Sequence, residues 1–345
     1  MNGTVADKRL PRFISIGVVH LALISSALAQ HYVSGIEGIR AGTLPMPGIY
    51  FRDYNVFSYD KYNYNDAISQ PSQPLTPPYY IQTDVKQTSY LNEPRLIWIT
   101  NQKVFGANYG MDLIVPFGYV KNEFFTPAQI VFVPLPPPQP GPPAVPIILH
   151  PTYFIYSRFG LGDVEFEPLL LSWNLNHFDF SVGYGIWAPT GDFDANAQAN
   201  VGFGFWSHMI TAGATWYPDH ARSWAVSLLN HYEINQEQAQ TDATYPQMFT
   251  LEWGVSKGIF KNLEIGVVGY WSDEMSDFNY GGGTFHSESY AIGPEISMSF
   301  PKLGLTTSLR YLRWFDDTSW QNVVNGGGPS HIEGNKVVLT VTERF

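Results

Sequence analysis

The feature that most constrains this chain is a period-two alternation of apolar with small or polar residues, repeated along most of its length. In a β-strand successive side chains point to opposite faces, so such a pattern gives one apolar face and one polar face. Between His177 and Pro189, Phe178, Phe180, Val182, Tyr184, Ile186 and Ala188 share one face. Asp179, Ser181, Gly183, Gly185 and Trp187 share the other. The same rhythm runs through 109–120, 162–173, 205–217 and 223–232. It continues through 249–256, 263–271, 290–300, 303–311 and 336–345. It places strands near 48–60, 90–105, 107–120, 160–174, 176–189 and 203–217. Six more follow near 220–234, 246–259, 262–274, 286–300, 303–315 and 334–345. The gaps between them alternate long and short without exception, the short ones being as tight as Asn174-Leu175, Pro218-Asp219, Lys261 and Pro301-Lys302. Short turns at one end and long loops at the other are the signature of an outer-membrane barrel. A Greek-key sandwich, the main rival, has no reason to alternate in this way. The expected fold is therefore an all-β, antiparallel up-and-down transmembrane barrel of about twelve strands. In the first two strands neither face is cleanly apolar. Pro146–Arg158 could pair as a further strand, though even parity argues against a full crossing.

The N-terminus fits an exported chain. Lys8, Arg9 and Arg12 precede an apolar run from Phe13 to Leu28, and Ala27-Leu28-Ala29 supplies a small-x-small cleavage pattern. That is the layout of a secretory signal peptide over 1–29, and the run is too short and interrupted for an anchoring helix. Its removal takes the formal charge from −11 to −13, because it holds three basic residues and one acid. So acidic a chain lacks the basic footprint that nucleic acid requires. There are no cysteines, so an exported fold must be held by something other than disulfides, and a sheet closed on itself suffices. Charged residues are only 14%, against ~25% in ordinary soluble domains, while aromatics reach 16%. The expected location is the bacterial outer membrane, with 30–345 as one barrel domain and the bilayer as its first partner.

A proline-rich segment at about 121–151 includes Val133-Pro134-Leu135-Pro136-Pro137-Pro138. Such a run favours polyproline II and cannot enter a central strand. The plainer reading is a stiff outer loop, and the sharper one is an apolar lid over the mouth.

No nucleophile elbow, zinc-protease motif or phosphate-cradling loop is present, and the nine histidines show no metal-ligand spacing. No catalytic residue, cofactor or metal is expected. The notable polar set is Asp112, Asp163, Glu165, Glu167, Asp179, His231, Glu252, Glu264, Glu295 and Arg310. Lys336 and Arg344 join it on the face turned away from lipid. In a lumen such groups must pair or meet water. The preferred reading is a charge network that fills the barrel, and the alternative is a polar pathway or selectivity field.

Several short motifs carry a family resemblance. Gly35-Ile36-Glu37-Gly38-Ile39-Arg40-Ala41-Gly42-Thr43-Leu44-Pro45 is followed by Pro47-Gly48-Ile49-Tyr50. Later come Gly160-Leu161-Gly162-Asp163, Ala188-Pro189-Thr190-Gly191-Asp192 and Ile292-Gly293-Pro294-Glu295. Together they resemble the proteins of the "MetA-pathway of phenol degradation" family. The resemblance implies a bacterial outer-membrane barrel linked to uptake in the degradation of aromatic compounds. The expected function is a channel or transporter for small hydrophobic or aromatic compounds. The alternative is a structural or adhesive barrel with a plugged lumen. An outer-membrane hydrolase would need a Ser/His pair that no motif supplies. The oligomeric state is left open.

Overall fold

The computed structural model describes residues 30–68, 79–134, 144–276, 278–280, 283–316, 319–321 and 329–345. The expected signal peptide and the core of the proline-rich run lie outside them. Twelve antiparallel strands form a meander in which each pairs with its chain neighbours, and the last pairs with the first to close a barrel. They are β1 (Gly48–Ile68), β2 (Tyr79–Val104), β3 (Ala107–Ile114 continued by Phe117–Thr126), β4 (Thr152–Leu161 continued by Val164–Asn174), β5 (Phe178–Ala188) and β6 (Ser207–Trp216). The remainder are β7 (Trp224–Asn235), β8 (Met248–Phe260), β9 (Leu263–Glu274), β10 (Glu288–Phe300), β11 (Leu305–Asp316) and β12 (Pro329–Arg344). Closure leaves the sheet without a free edge strand, which is what lets strands cross a bilayer. Among the described residues no helix is long and apolar enough to do so.

The alternation expected from the sequence becomes lumen-facing and lipid-facing rows. Trp216 and Trp224 stand exposed near the short-turn end. At the long-loop end, Phe57, Tyr90, Tyr119 and Phe159 form a row across β1–β4, each opposite the next in register. These two bands are interfacial girdles.

Three expectations need correction. First, the segment 121–151 is not one loop. β3 runs on to Thr126, and a separate two-stranded hairpin pairs Gln129–Pro134 with Ala144–Leu149. Pro134 and Pro146 sit on this hairpin, outside the barrel sheet, where a missing N–H costs little. Residues 152–158, the end of the ambiguous Pro146–Arg158 stretch, belong to the outer part of β4, so parity holds. Second, the strict alternation expected through 162–173 does not hold. The β4–β5 register shifts between Phe166 and Leu169, around Pro168, which turns Leu170 into the lumen and Leu169 outward. A bulge adds one residue and flips every side chain beyond it. Third, Arg344 is not in the lumen; it is exposed at the short-turn rim, donating to the Pro47 carbonyl at 3.2 Å.

Candidate functional site

Residues 30–47 do not hang free below the barrel. They enter from the start of β1 and run up the lumen, with a single 3-10 turn at Gly38–Arg40. An irregular segment brings backbone N–H groups that no sheet satisfies. The lumen carboxylates receive them. The Gly35 and Glu37 amides donate to Glu252 at 2.6 and 3.1 Å, and the Tyr32 hydroxyl adds a third bond at 2.5 Å. The His31 and Tyr32 amides donate to Glu233 at 3.2 and 2.9 Å, and the Ile39 amide to Glu295 at 3.1 Å. Plug carbonyls are met by the wall's cations. Arg310 donates to the Gly35 carbonyl at 3.1 Å and also to that of Ile36, and Lys336 donates to Ser34 at 2.7 Å.

Plug side chains complete the docking. Glu37 bridges Arg52 and Arg95 at 2.9 and 2.7 Å, and accepts from the Tyr54 hydroxyl at 2.8 Å. Arg40 meets Glu264 at 3.0 Å, and Thr43 reaches Asp179 at 3.1 Å. Tyr32 stacks on His231 with ring centroids 3.6 Å apart. The glycines of the plug have specific work. Gly35 and Gly38 take left-handed φ values of +87° and +80°, which disfavour side chains. Gly42 lies against the β6 backbone, where an added Cβ would come within 2.5 Å of the Ala214 amide nitrogen.

Nine of the ten candidate residues are buried on the lumen side; Glu264 is only partly buried there. Seven of the ten contact the plug directly: Asp163, Asp179, His231, Glu252, Glu264, Glu295 and Arg310. Asp112 and Glu167 instead gather around Arg95. Its Nε lies 2.8 Å from Asp112 and its Nη2 3.3 Å from Glu167. Glu165 lies beside them with Oε1 unpartnered among the described residues. Sequence reasoning missed Glu37, Arg52, Glu93, Arg95 and Glu233. For Arg52, Glu93 and Arg95 the available signal was the poor alternation of the first two strands, which reflects polar residues on both faces.

Asp163 sits where the wall is interrupted. β3 breaks at 115–116 and β4 at 162–163, side by side, and the Gly162 amide bridges to the Pro116 carbonyl at 2.8 Å. The loop after β5 folds onto this break. The Gly191 and Phe203 amides donate to Asp163 at 2.8 and 2.7 Å, and Asp192 pairs with the Leu161 backbone. Two motifs far apart in sequence, Gly160–Asp163 and Ala188–Asp192, thus form one joint. His31 of the plug joins it, with Nε2 3.1 Å from Asp163 and Nδ1 2.9 Å from Ser207. Asp163, His31 and Ser207 are the residue types of a hydrolase relay, but the hydrogens run the wrong way. Asn235 donates to the Pro246 carbonyl at 2.6 Å, which turns its oxygen to Ser207, and that oxygen accepts a hydrogen bond from the Ser207 hydroxyl at 2.5 Å. Ser207 is fully buried, so the chain acts as a latch between plug, wall and loop. Among the described residues no cluster of His, Cys, Asp or Glu could hold a metal.

Above the plug, towards the long loops, lies a cavity of about 280 Å³. Its walls include Trp187, Phe193, Phe203, Tyr245, Tyr270 and Trp314. Below the plug, at the short-turn end, lies a second, more polar cavity, bounded by Arg40, Arg222, Glu264 and Arg310 among others. The two share no lining residue, and the segment around Gly35 and Ile36 separates them.

The sequence matches the model of the family described as "Putative MetA-pathway of phenol degradation" over residues 66–323. No curated protein sequence matches it. Among solved structures, an outer membrane channel from Pseudomonas putida F1 superposes with a TM-score of 0.55 at 14% identity, covering 87% of this chain and 97% of that one. That likeness establishes the fold. A Pseudomonas aeruginosa FadL homologue covers 86% of this chain and 90% of its own at 10% identity, with a TM-score of 0.37. The outer membrane protease OmpT of Escherichia coli covers 88% and 99% at 10% identity, with a TM-score of 0.32. Scores so low carry no argument.

Proposed function

The chain belongs to the phenol-degradation family matched above, and from that premise we propose that it is an outer-membrane channel for small hydrophobic or aromatic compounds. The observation that carries the reading is the aromatic-walled cavity beneath the long loops. Its volume, about 280 Å³, lies at the small end of ligand pockets and suits a single-ring compound. Ring faces and edges from Trp187, Phe203, Tyr245 and Trp314 offer stacking and edge-on contacts to such a solute. Asp60 holds the Trp314 indole N–H at 2.8 Å, which fixes that wall in place. A molecule lodged here stands directly on the plug tip at Tyr32 and Val33, so passage to the short-turn end requires the plug to shift. The family description and the channel from Pseudomonas putida support this reading. Short turns facing the periplasm, and a leader removed after Ala29, fit the same picture.

The test is uptake of a panel of single-ring aromatic and aliphatic compounds by cells with and without the protein. A companion variant, Ala199→Trp, fills the cavity from its lining without touching the plug. Uptake of one class should fall on deletion and fall similarly in the variant. The plug itself favours a second reading, a structural or adhesive barrel with a closed lumen. Unchanged uptake of every compound, with the protein located in the outer membrane, would establish that reading instead.

A further inference from the structure

The lipid-facing side of β1 and β2 is polar where hydrocarbon should cover it. From the outer aromatic row downwards, the outward cross-strand pairs are Phe57–Tyr90, Asn55–Asn92, Asp53–Pro94, Phe51–Leu96 and Ile49–Trp98. Phe57, Phe51, Leu96 and Trp98 are exposed, as lipid-facing residues should be. Asp53 is the middle of the series and so lies at mid-depth in the bilayer. Neighbouring rows at that height are apolar: Val341 and Leu339 of β12 stand opposite Asp53 and Asn55.

The cluster is tightly organised. Asn92 donates to Asp53 at 2.7 Å and to Asn55 at 3.2 Å. Asn55 donates to Asp53 at 2.9 Å, and the Tyr90 hydroxyl donates to Asn55 at 2.8 Å. Among the described residues no basic side chain pairs with Asp53. Ionisable groups at membrane depth almost always face protein or water, because hydrocarbon offers them nothing.

We propose that this face is the interface with a second copy of the chain. Every copy in a membrane shares one orientation and one depth. A polar patch at mid-depth therefore meets its own equivalent around a two-fold axis along the membrane normal, an isologous contact. The patch is self-complementary, as such a contact demands. Asn55 spends one amide hydrogen on Asp53 and has a second to give, while the Asp53 carboxylate accepts two hydrogen bonds and has lone pairs to spare. Phe51 and Phe57, below and above, supply apolar contact that keeps lipid out of the polar centre.

The protein extracted with its own lipids in polymer nanodiscs, and measured by native mass spectrometry, should be a dimer. Asp53→Leu/Asn55→Leu/Asn92→Leu replaces the polar centre with apolar side chains, two at half-buried outward positions and one, at Asn92, buried beside them. It should remain a folded barrel, judged by heat-modifiable gel migration, and become monomeric. The chain has no cysteine, so Asn55→Cys alone should form a specific disulfide-linked dimer under mild oxidation. A monomeric wild type, a dimer that survives the triple substitution, or failure of Asn55→Cys to cross-link would each overturn the proposal.

Discussion

Glu252 of β8 is the carboxylate on which the plug depends most, and Glu252→Gln tests that dependence without changing shape. Oε1 accepts from the Tyr32 hydroxyl and the Gly35 amide, and Oε2 from the Glu37 amide. An amide in this place keeps one oxygen. Whichever way it is turned, an NH₂ then faces a backbone N–H, donor against donor. Hydrogen bonds to a charged acceptor contribute roughly 1.5–3 kcal/mol, and neutral ones about 1 kcal/mol. Two bonds weakened by about 1 kcal/mol each, and one lost outright at about 2 kcal/mol, come to about 4 kcal/mol. Glu252 is almost wholly buried, so solvent screening does not erode this figure. At 1.4 kcal/mol per tenfold, local opening of 32–38 becomes roughly a thousand times more frequent. Hydrogen exchange read by mass spectrometry on a peptide containing these residues measures that opening. Exchange at Gly35 and Glu37 should accelerate by two to three orders of magnitude, while amides of β10 and β11 stay protected. If Glu252→Gln leaves exchange in 32–38 within about threefold of wild type, the lumen carboxylates do not anchor the plug, and the reasoning fails.

Gly42→Val forces a side chain into the β6 backbone at Ala214 and should displace the lower plug at a cost of about 1–3 kcal/mol, seen as raised single-channel conductance without loss of barrel melting temperature. Asp163→Asn removes an acceptor shared by the plug, the wall break and the loop after β5; exchange should quicken at His31 and Phe203 together, and a change at one alone would show that they are not joined. In the turn between β6 and β7, the Trp224 amide and the Ser223 hydroxyl and amide hold the Asp219 carboxyl down to about 2. A depressed carboxyl stabilises above its unfolded value near 4 and loses that contribution as pH falls towards 2, so the turn's amides should stay protected at pH 5 and exchange faster in that window, whereas Asp219→Asn should make them indifferent to it.

The barrel was legible in the sequence because one physical requirement dominates it. Lipid on one side and a filled lumen on the other impose a period of two, and the turns impose an alternation of gap lengths. Strand positions for β5 to β12 follow from that alone to within a few residues. The failures fall where a second requirement competes. At Leu169 and Leu170 a bulge around Pro168 breaks the period without breaking the apolar run. β1 and β2 read poorly because Arg52 and Tyr54 serve the plug on one face while Asp53 and Asn55 interrupt the lipid face on the other. The plug was the least legible part. Its residues show neither a helix nor a strand period, and the need for glycine at 42 comes from the Ala214 backbone more than a hundred residues away.

The plug also changes what an acidic lumen means. A ring of carboxylates in an open pore would set a field selecting cations. Here Glu233 and Glu252 each accept two backbone amides, Glu295 accepts one beside Arg310, and Glu264 is paired with an arginine. Backbone N–H groups cannot be released as ions can. They leave only together, when the segment that bears them moves. Those charges therefore set the stability of closure. Under the proposed function the choice of solute falls to the aromatic cavity above, which touches the plug through His31, Tyr32 and Val33. An acidic barrel proposed to admit neutral aromatic compounds is then consistent physics, because Glu233 and Glu252 are occupied in holding, through the amides of His31, Tyr32, Gly35 and Glu37, the same segment that borders the cavity.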